Sequence, residues 1–405
     1  MHNKLNRAVA IVLTVAFLGF IAVMGVMTAA TGGTAIMNAA RRMDSLSAYL
    51  PERWDAFDLL QARVSSVQAA LPESMWLKTP MGYANSGFQY ALGKRMINTG
   101  SQNMVTLTTG HLYDLMDARD MHSAADEVIA LRNRESLARL PFLFVYIHPT
   151  LYDDAMLPIG YDALDHSAEM ADEVTALLRE GGIEVMDSRD LIPDGQPLAD
   201  YLLYTDQHWS ALAALTTAHA VAERLNAMTG AGLDASLLEL DQFNTLTHEK
   251  LFMGKYGQRV GPGRIDPDDI TEYWPKYDTH ISRVSKRIVN TDSAEGDFRT
   301  AVTRFERLEP DPGQTWNTLA YTYYGQVESY ILYENENAPD YTILLLKDSY
   351  SAAVGTFLSL VARHVVILDP RADESLDEWV EKWQPDAVVM GYSLQMLRKE
   401  NYAFN

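Results

Sequence analysis

Apolar residues form an unbroken stretch near the N-terminus of the chain. No charged residue occurs between Arg7 and Arg41, and this interval contains AVAIVLTVAFLGFIAVMGVMTAA. A helix over residues 8–30 would be about 35 Å long, which is enough to cross the ~30 Å hydrocarbon core of a bilayer. The pattern therefore predicts one transmembrane helix.

The charges that flank this stretch predict its orientation. Lys4 and Arg7 precede it and should stay in the cytoplasm, so that the rest of the chain lies outside. A cleavable signal peptide is the alternative, because MTAATGG offers small residues, although the apolar stretch is long for a signal h-region. We expect residues 1–32 to form a cytoplasmic tip and an uncleaved anchor of a single-pass cell-membrane protein.

After the anchor, the spacing of apolar residues changes twice. Residues 33–80 have apolar positions at roughly helical spacing and predict a juxtamembrane stalk. From residue 81 onward, buried-strand runs such as LPFLFVYIHP and YTILLLKDSY alternate with helical segments such as SAEMADEVTALLREGG and SAAVGTFLSLVARH. This alternation predicts an α/β domain over 81–405, with a mainly parallel sheet covered by helices.

The segment of about 241–340 is less regular than the blocks on either side. It contains the turn-rich KYGQRVGPGRIDPDDI and a stretch that suggests a β-hairpin around Gly325. We interpret this segment as an insertion that covers one edge of the site.

Composition excludes several classes of function. The 405 residues are 47% hydrophobic and can bury a substantial core, while a net charge of −21 argues against a nucleic-acid partner. Because the chain has no cysteine, disulfides, thiolate metal sites and a cysteine nucleophile are excluded. Asp153 and Asp154 lack an accompanying ligand cluster, so we expect neither a metal nor a cofactor.

Ser349 directly follows a predicted strand and is a candidate nucleophile. In an open parallel sheet the functional crevice lies beyond the carboxyl ends of the strands. The sequence places Ser349 at the start of a helix, where free backbone N–H groups, including that of Tyr350, could stabilise an oxyanion. The alternative is that Asp348 or Ser349 only caps the helix.

A serine nucleophile needs a base, and the segment YTDQHWS supplies an acid and an imidazole two residues apart. His208 could accept the serine proton and Asp206 could orient the imidazole. The alternatives are an N-cap aspartate and a structural histidine. A second such triplet, Asp278 and His280, occurs in the irregular segment before no clear helix, and we regard it as a decoy.

These two segments resemble one family. YTDQHWS is similar to the signature of the DHHW proteins, relatives of the AlgJ/AlgX-type alginate O-acetyltransferases, and LLLKDSYSAAVGTFLSLVARHVVILDPR resembles their serine segment. The chain departs at Gln207, where the signature has histidine, and at Lys347, where SGNH hydrolases generally have glycine. The resemblance covers about residues 81–393.

The resemblance implies a fold and a reaction. It implies an SGNH hydrolase-like three-layer domain in which Ser349, His208 and Asp206 form a triad with an acyl-serine intermediate. The implied activity is O-acetylation of a cell-envelope or secreted polysaccharide, beside a membrane-bound O-acyltransferase (MBOAT) partner. A carbohydrate O-acetyl esterase with the same triad, or a non-catalytic polysaccharide-binding or scaffold protein, is the alternative.

Further side chains are candidates for contact with the substrate. Arg371 follows the strand VVILD and could meet an oxyanion or an anionic group, although a surface ion pair is the commoner role of such an arginine. Tyr204, Trp209 and Tyr350 could stack on a sugar ring or serve only in packing.

Overall fold

The computed structural model describes residues 11–31, 77–98, 103–151, 153–193, 195–287, 290–369 and 375–397. The chain divides into two compact units, Met1–Gln89 and Tyr90–Asn405. In the first unit, helix α1 (Ile11–Thr31) is long and apolar enough to cross a membrane, a property that signal sequences share. The predicted stalk lies outside the described residues up to the start of α2 (Lys78–Ala91).

The remaining elements alternate between strands and helices, as the sequence predicts. The strands are β1 (Met96–Asn98), β2 (Asn103–Thr106), β3 (Leu112–Asp114), β4 (Phe142–Ile147), β5 (Glu184–Asp187), β6 (Phe243–Phe252), β7 (Asp268–Pro275), β8 (Ile281–Arg287), β9 (Asn290–Gly296), β10 (Tyr330–Glu334), β11 (Thr342–Lys347), β12 (His364–Leu368) and β13 (Ala387–Ser393). The helices are α3 (His122–Arg132), α4 (Ser167–Glu180), α5 (Leu198–Tyr201), α6 (Ala211–Thr229), α7 (Lys255–Val260), α8 (Phe298–Val302), α9 (Ala352–Leu358) and α10 (Leu376–Trp383).

An eight-stranded mixed sheet forms the centre of the second unit, in the order β5-β4-β13-β11-β12-β10-β8-β9. The strands from β5 to β12 pair in parallel, and β10, β8 and β9 continue the sheet with antiparallel pairing. The predicted parallel sheet is therefore present, but the antiparallel half extends it. Strands β8 to β10 come from the segment 241–340, which thus contributes to the central sheet.

The central strands are buried on both faces, which explains their continuous apolar sequences. Every residue of β4 and of β11 is buried. Along β11, Ile343 and Leu345 pack into a cluster with α6, α8 and α9, whereas Leu344 and Leu346 pack into a second cluster with α3, α4 and α10. The sheet and the helices on its two faces form three layers. Burial of each aliphatic side chain contributes about 1.5–3 kcal/mol to the free energy of unfolding.

The predicted hairpin around Gly325 is wrong. Residues Ala320–Tyr324 form a 3-10 helix, which Gly325 ends in the left-handed conformation at φ +84°. The hydroxyls of Tyr323 and Tyr324 donate to the carbonyls of Thr271 and Tyr273 on β7. The burial of these two aromatic rings, together with their hydroxyl bonds, outweighs the β-propensity of the local sequence.

The position of β11 decides where the site lies. The chain passes from β11 to its neighbour β12 on one side and then returns to β13 on the other side. Such a reversal of strand order leaves a crevice at the carboxyl ends of the strands. The antiparallel pair β6–β7, with an irregularity between His248 and Phe252, forms a separate two-stranded sheet.

Candidate active site

The structure brings Asp206, His208 and Ser349 into one hydrogen-bonded chain. His208 Nε2 lies 2.7 Å from Ser349 Oγ, and His208 Nδ1 lies 2.5 Å from Asp206 Oδ1. Asp206 and His208 are buried, with exposed fractions of 3% and 6%. The acid and the imidazole, two positions apart in sequence, therefore meet a serine that lies 141 positions beyond His208.

The loop that carries the acid and the imidazole is closed at its base. Leu202 and Trp209 form an antiparallel bridge, and the Ser210 N–H donates to the Tyr201 carbonyl. Ser210 also caps α6, because its hydroxyl accepts a hydrogen bond from the Ala213 N–H. The alternative that Asp206 serves as the helix N-cap is therefore wrong.

Asp206 is held as a carboxylate by the groups around it. Burial would raise the pKa of Asp206, but the adjacent His208 imidazole and the hydrogen bonds from His208 and from the Lys255 N–H together lower it. The Lys255 N–H lies 2.7 Å from Asp206 Oδ2, while the other carboxylate oxygen accepts from His208. Both oxygens are thus occupied, which fixes the orientation of the carboxylate.

The glycines of the segment MGKYGQ allow this segment to lie close against the loop that carries Asp206. A Cβ at Gly254 would lie 2.4 Å from the Asp206 Cβ, and one at Gly257 would lie 2.7 Å from the Thr205 Cβ. The Gly257 N–H donates to the Thr205 carbonyl, and the Gly254 N–H donates to the Thr205 hydroxyl. Sequence reasoning missed this contribution, although the two glycines three positions apart are a visible signal.

Asp268 holds the same loop from the other side and was also missed. Its carboxylate accepts hydrogen bonds from the N–H groups of Tyr204 and Thr205 and from the Thr205 hydroxyl. The pKa of Asp268 is raised to about 7, mainly by burial and also by the nearby Asp206 carboxylate, against the hydrogen bonds from Thr205 and Tyr204, which lower it. The acid–imidazole loop is therefore fixed by contacts with residues far away in sequence.

The turn that carries Ser349 differs from the prediction. Helix α9 begins at Ala352, so Ser349 lies in the preceding turn rather than in the helix. Asp348 is buried, with its pKa raised by burial, and accepts hydrogen bonds from the N–H groups of Tyr350, Ser351 and Ser393. The predicted role of the Tyr350 N–H as a free oxyanion donor is therefore wrong in this arrangement.

Lys347 is buried directly before this turn. Its ammonium group donates to the Gln326 carbonyl at 2.9 Å and lies 3.2 Å from a carboxylate oxygen of Asp369. A buried cation requires such partners, because an unpaired charge in the interior is costly. The lysine at a position where SGNH hydrolases have glycine thus connects the serine turn to Gln326.

Aromatic rings surround the imidazole. His208 stacks on Tyr321 with ring centroids 4.1 Å apart and lies 4.5 Å from the Tyr350 ring. The Trp209 indole donates to the Tyr350 carbonyl, which joins the acid–imidazole loop to the serine turn. Tyr204 stacks on His111 at 4.0 Å, with the two rings nearly parallel. Tyr321 was not predicted; its only sequence signal is the aromatic run YTYY.

The remaining candidate groups fall into three cases. Arg371 lies outside the described residues. His280 is 59% exposed and pairs with Glu295 at 3.3 Å, so the second triplet lies apart from Ser349. Asp120, His122 and Glu173 are close enough to share a metal ion, but they form a mostly exposed group of a kind that is common without metal.

The Ser349 hydroxyl and the His208 imidazole line a cleft of about 1100 Å³. Tyr204, Trp209 and Tyr350, the predicted substrate contacts, also line it. The cleft continues along the β6–β7 pair, which supplies Thr245 and several other side chains. Its size and open form suit a chain-like ligand better than a single small molecule.

The fold of the second unit is SGNH hydrolase-like. Residues 149–288 match the family model of the SGNH hydrolase-like domain of the acetyltransferase AlgX. The matched segment contains Asp206 and His208. The resemblance that the sequence motifs indicate is thereby confirmed. No curated protein matches the chain in sequence.

Solved structures share the architecture at low sequence identity. A DHHW family protein from Eubacterium siraeum is 18% identical, with a TM-score of 0.58, over 76% of this chain and 96% of that chain. PatB1 from Bacillus cereus with a sulfonyl adduct is 15% identical, with a TM-score of 0.61, over 76% of this chain and all of that chain. These likenesses establish the fold of the domain.

Proposed function

We propose that the protein is an O-acyltransferase that acetylates an extracytoplasmic polysaccharide through Ser349, His208 and Asp206. One observation carries the proposal: His208 Nε2 lies 2.7 Å from Ser349 Oγ while its Nδ1 is bound to a buried carboxylate. This is the arrangement in which an imidazole activates a serine hydroxyl.

The proposed reaction has two halves. Ser349 Oγ attacks the carbonyl carbon of an acetyl donor and passes its proton to His208 Nε2, which delivers the proton to the leaving group as the acyl-serine forms. A sugar hydroxyl then loses its proton to His208 and attacks the acyl-serine, and the proton returns to Ser349 Oγ as the acetylated sugar leaves. Asp206 stabilises the imidazolium in both halves.

The choice of transfer over hydrolysis rests on the relatives. The family model that matches residues 149–288 is named for an acetyltransferase, and the long cleft gives room for an acceptor chain beside the serine. An O-acetyl esterase would use the same three residues with water as the acceptor. A non-catalytic glycan-binding protein would have no need for a serine activated in this way.

Intact-protein mass spectrometry after incubation with an activated acetyl ester tests the proposal. We expect the wild-type protein to gain one acetyl group that maps to Ser349, and Ser349→Ala to gain none. Ser123→Ala, which alters an exposed serine on α3, is the matched control and should acylate like the wild type. An adduct that persists in Ser349→Ala would refute the assignment of the nucleophile.

A second assay separates the transferase from the esterase. The acylated protein is mixed with a glycan, and both free acetate and acetylated glycan are quantified. Acetylated glycan supports transfer, whereas release of acetate alone would support the esterase.

We further propose that Gln326 and the Ser349 N–H stabilise the oxyanion. Within the described chain the Ser349 N–H donates to no other group. Gln326 lines the same cleft; its Oε1 accepts from the Tyr324 N–H and its carbonyl accepts from Lys347. The side-chain amide of Gln326 is then left to donate toward the cleft.

Loss of one oxyanion donor should slow catalysis without preventing folding. Gln326→Ala should lower kcat/KM by about a hundredfold, with a smaller change in KM. Gln196→Ala, at an exposed position, is the control and should match the wild type. An unchanged kcat in Gln326→Ala would remove this residue from the mechanism.

The N-terminal helix leads us to propose a location. We propose that α1 anchors the protein with Lys4 and Arg7 in the cytoplasm, the catalytic domain outside, and an MBOAT partner that supplies the acyl group across the membrane. Protease added to cells with a permeabilised outer envelope should then digest the large domain. Full protection until the membrane is lysed would reverse the orientation.

A further inference from the structure

The cleft that leads away from Ser349 is walled by the β6–β7 pair. Thr245 and Thr247 on β6, with Thr271 and Tyr273 on β7, line it, and the hydroxyls of Thr247 and Thr271 lie 2.9 Å apart. These neutral hydroxyls can donate to and accept from the hydroxyls of a sugar chain. Nothing in this row of side chains requires a charged ligand.

The charged groups of the cleft are mainly acidic. Among the described residues, four carboxylates line it and two permanent cations oppose them. The carboxylates belong to Asp200, Asp266, Asp268 and Asp269, and the cations belong to Lys250 and Arg264. Asp268 is buried and its pKa is raised to about 7, so the negative charge that a ligand meets along the cleft comes from the three exposed aspartates, against the two cations.

Both cations are engaged by the protein itself. The Lys250 ammonium lies 2.9 Å from Asp266 Oδ2, and the Lys250 N–H donates to Asp269 Oδ1. Arg264 donates to the Arg95 carbonyl and to the Thr106 hydroxyl, and its guanidinium packs over the Tyr90 ring at 4.8 Å. Arg264 Nε and Nη1 are buried without a hydrogen-bond partner among the described residues. An anionic ligand would therefore have to displace Asp266 from Lys250, or open the packing around Arg264, in order to gain a counter-charge.

Among the described residues, Asp200 is a cleft carboxylate without a cation beside it. It is exposed, and no ion pair to it occurs in the described part of the chain. Its charge reaches the cleft wall: burial raises the pKa of Tyr273 to about 12, and the Asp200 carboxylate contributes to the same shift. The net charge of −21 on the whole chain adds a longer-range repulsion of anions.

We propose that the cleft takes a non-anionic glycan, one whose sugar units carry no carboxylate, sulfate or phosphate group. This inference rests on the proposed acyl transfer, since it specifies the acceptor for that reaction. A like charge close to a cleft carboxylate is repelled, and this repulsion is weakened but not abolished near a protein surface. Such contacts should therefore lower the affinity for a uronate chain about tenfold.

Binding of three matched sugar hexamers tests the proposal. The probes are β-1,4-linked hexamers of glucose, glucosamine and mannuronate, which are neutral, cationic and anionic. They are titrated into full-length Ser349→Ala protein in a zwitterionic detergent without sugar groups, because this variant cannot turn over. We expect the mannuronate hexamer to bind at least about tenfold more weakly than the glucose hexamer at low salt.

Salt and one substitution identify the cause of this difference. At high salt the gap between glucose and mannuronate hexamers should shrink to about twofold, because screening removes interactions between exposed charges. Adding Asp200→Asn should narrow the low-salt gap at least about twofold, whereas Glu127→Gln, an exposed acid on α3, should leave it unchanged.

Two outcomes overturn the proposal. Equal or tighter binding of the mannuronate hexamer at low salt would show that the cleft accepts polyanions, and binding of none of the three would show that it is no glycan site. Acetylation of Ser349 is measured separately on the wild-type protein. A failure of acylation would therefore count against the proposed reaction, and not against the ranking of the hexamers.

Discussion

Two of the three Asp-x-His triplets in the chain, Asp206 with His208 and Asp278 with His280, lie in very different surroundings. At the first, Asp206 and His208 are buried and hydrogen-bonded to each other, and the imidazole meets Ser349. At the second, Asp278 is exposed and His280 pairs with Glu295 at the surface. The same three-residue pattern is a proposed catalytic pair in one place and part of an exposed surface in the other.

The difference lies in what surrounds each triplet. The first loop receives hydrogen bonds from Gly254, Lys255 and Gly257, and its own N–H groups donate to Asp268. The second triplet has no such group of partners among the described residues. Spacing brings an acid and an imidazole within reach of each other, but tertiary contacts decide whether water competes for them.

The largest expected effect separates the two histidines. His208→Ala should lower kcat/KM for acyl transfer by roughly a thousandfold or more, because the serine loses its base, while Asp206→Ala should be milder. His280→Ala is the matched control and should stay within about twofold of the wild type. Steady-state kinetics with an activated acetyl ester provide the measurement. Equal losses in the two histidine variants would mean that the second triplet is no decoy.

A smaller effect is expected from the glycine that lies against Asp206. Gly254→Ala would place a Cβ 2.4 Å from the Asp206 Cβ, so the loop must shift and the Lys255 N–H bond to the carboxylate must lengthen. We expect a fall in kcat of about tenfold to a hundredfold. Gly82→Ala, which meets no atom within 4 Å, should leave kcat unchanged. Wild-type kinetics in Gly254→Ala would show that catalysis does not need the close packing of Gly254 against Asp206.

A third effect is on stability rather than on rate, through the acid that holds the first loop. Burial raises the pKa of Asp268 from 3.8 to about 7. The folded protein therefore binds a proton that the unfolded chain releases, and this contribution to stability is present below pH 4 and lost as the pH rises through 7. A shift of about three units corresponds to an upper limit of ~4 kcal/mol.

Thermal unfolding between pH 4 and pH 8 measures this contribution. Asp268→Asn should be less stable than the wild type at low pH, because it cannot accept all three hydrogen bonds, but the gap should narrow as the pH rises. Asp278→Asn, at an exposed position, should follow the wild type at every pH. A gap that is constant with pH would mean that Asp268 is already ionised at low pH in the folded protein.

Local sequence determined the elements on which the site depends. The apolar runs predict β4, β11, β12 and β13, because strands buried on both faces need apolar residues at every position. The position of Ser349 after β11 and the pairing of Asp206 with His208 follow from chain order and spacing. The apolar composition of α1 is likewise visible in the sequence alone.

Only the tertiary structure decided which partners complete these elements. The Tyr350 N–H is occupied by Asp348, the rings of Tyr323 and Tyr324 replace a predicted hairpin with a 3-10 helix, and Asp268 supports a loop 63 residues away. These outcomes depend on which groups share a buried space, and that is set by the packing of distant segments. A local pattern can specify an acid and a base, but only packing excludes water from one pair and leaves the other pair in solvent.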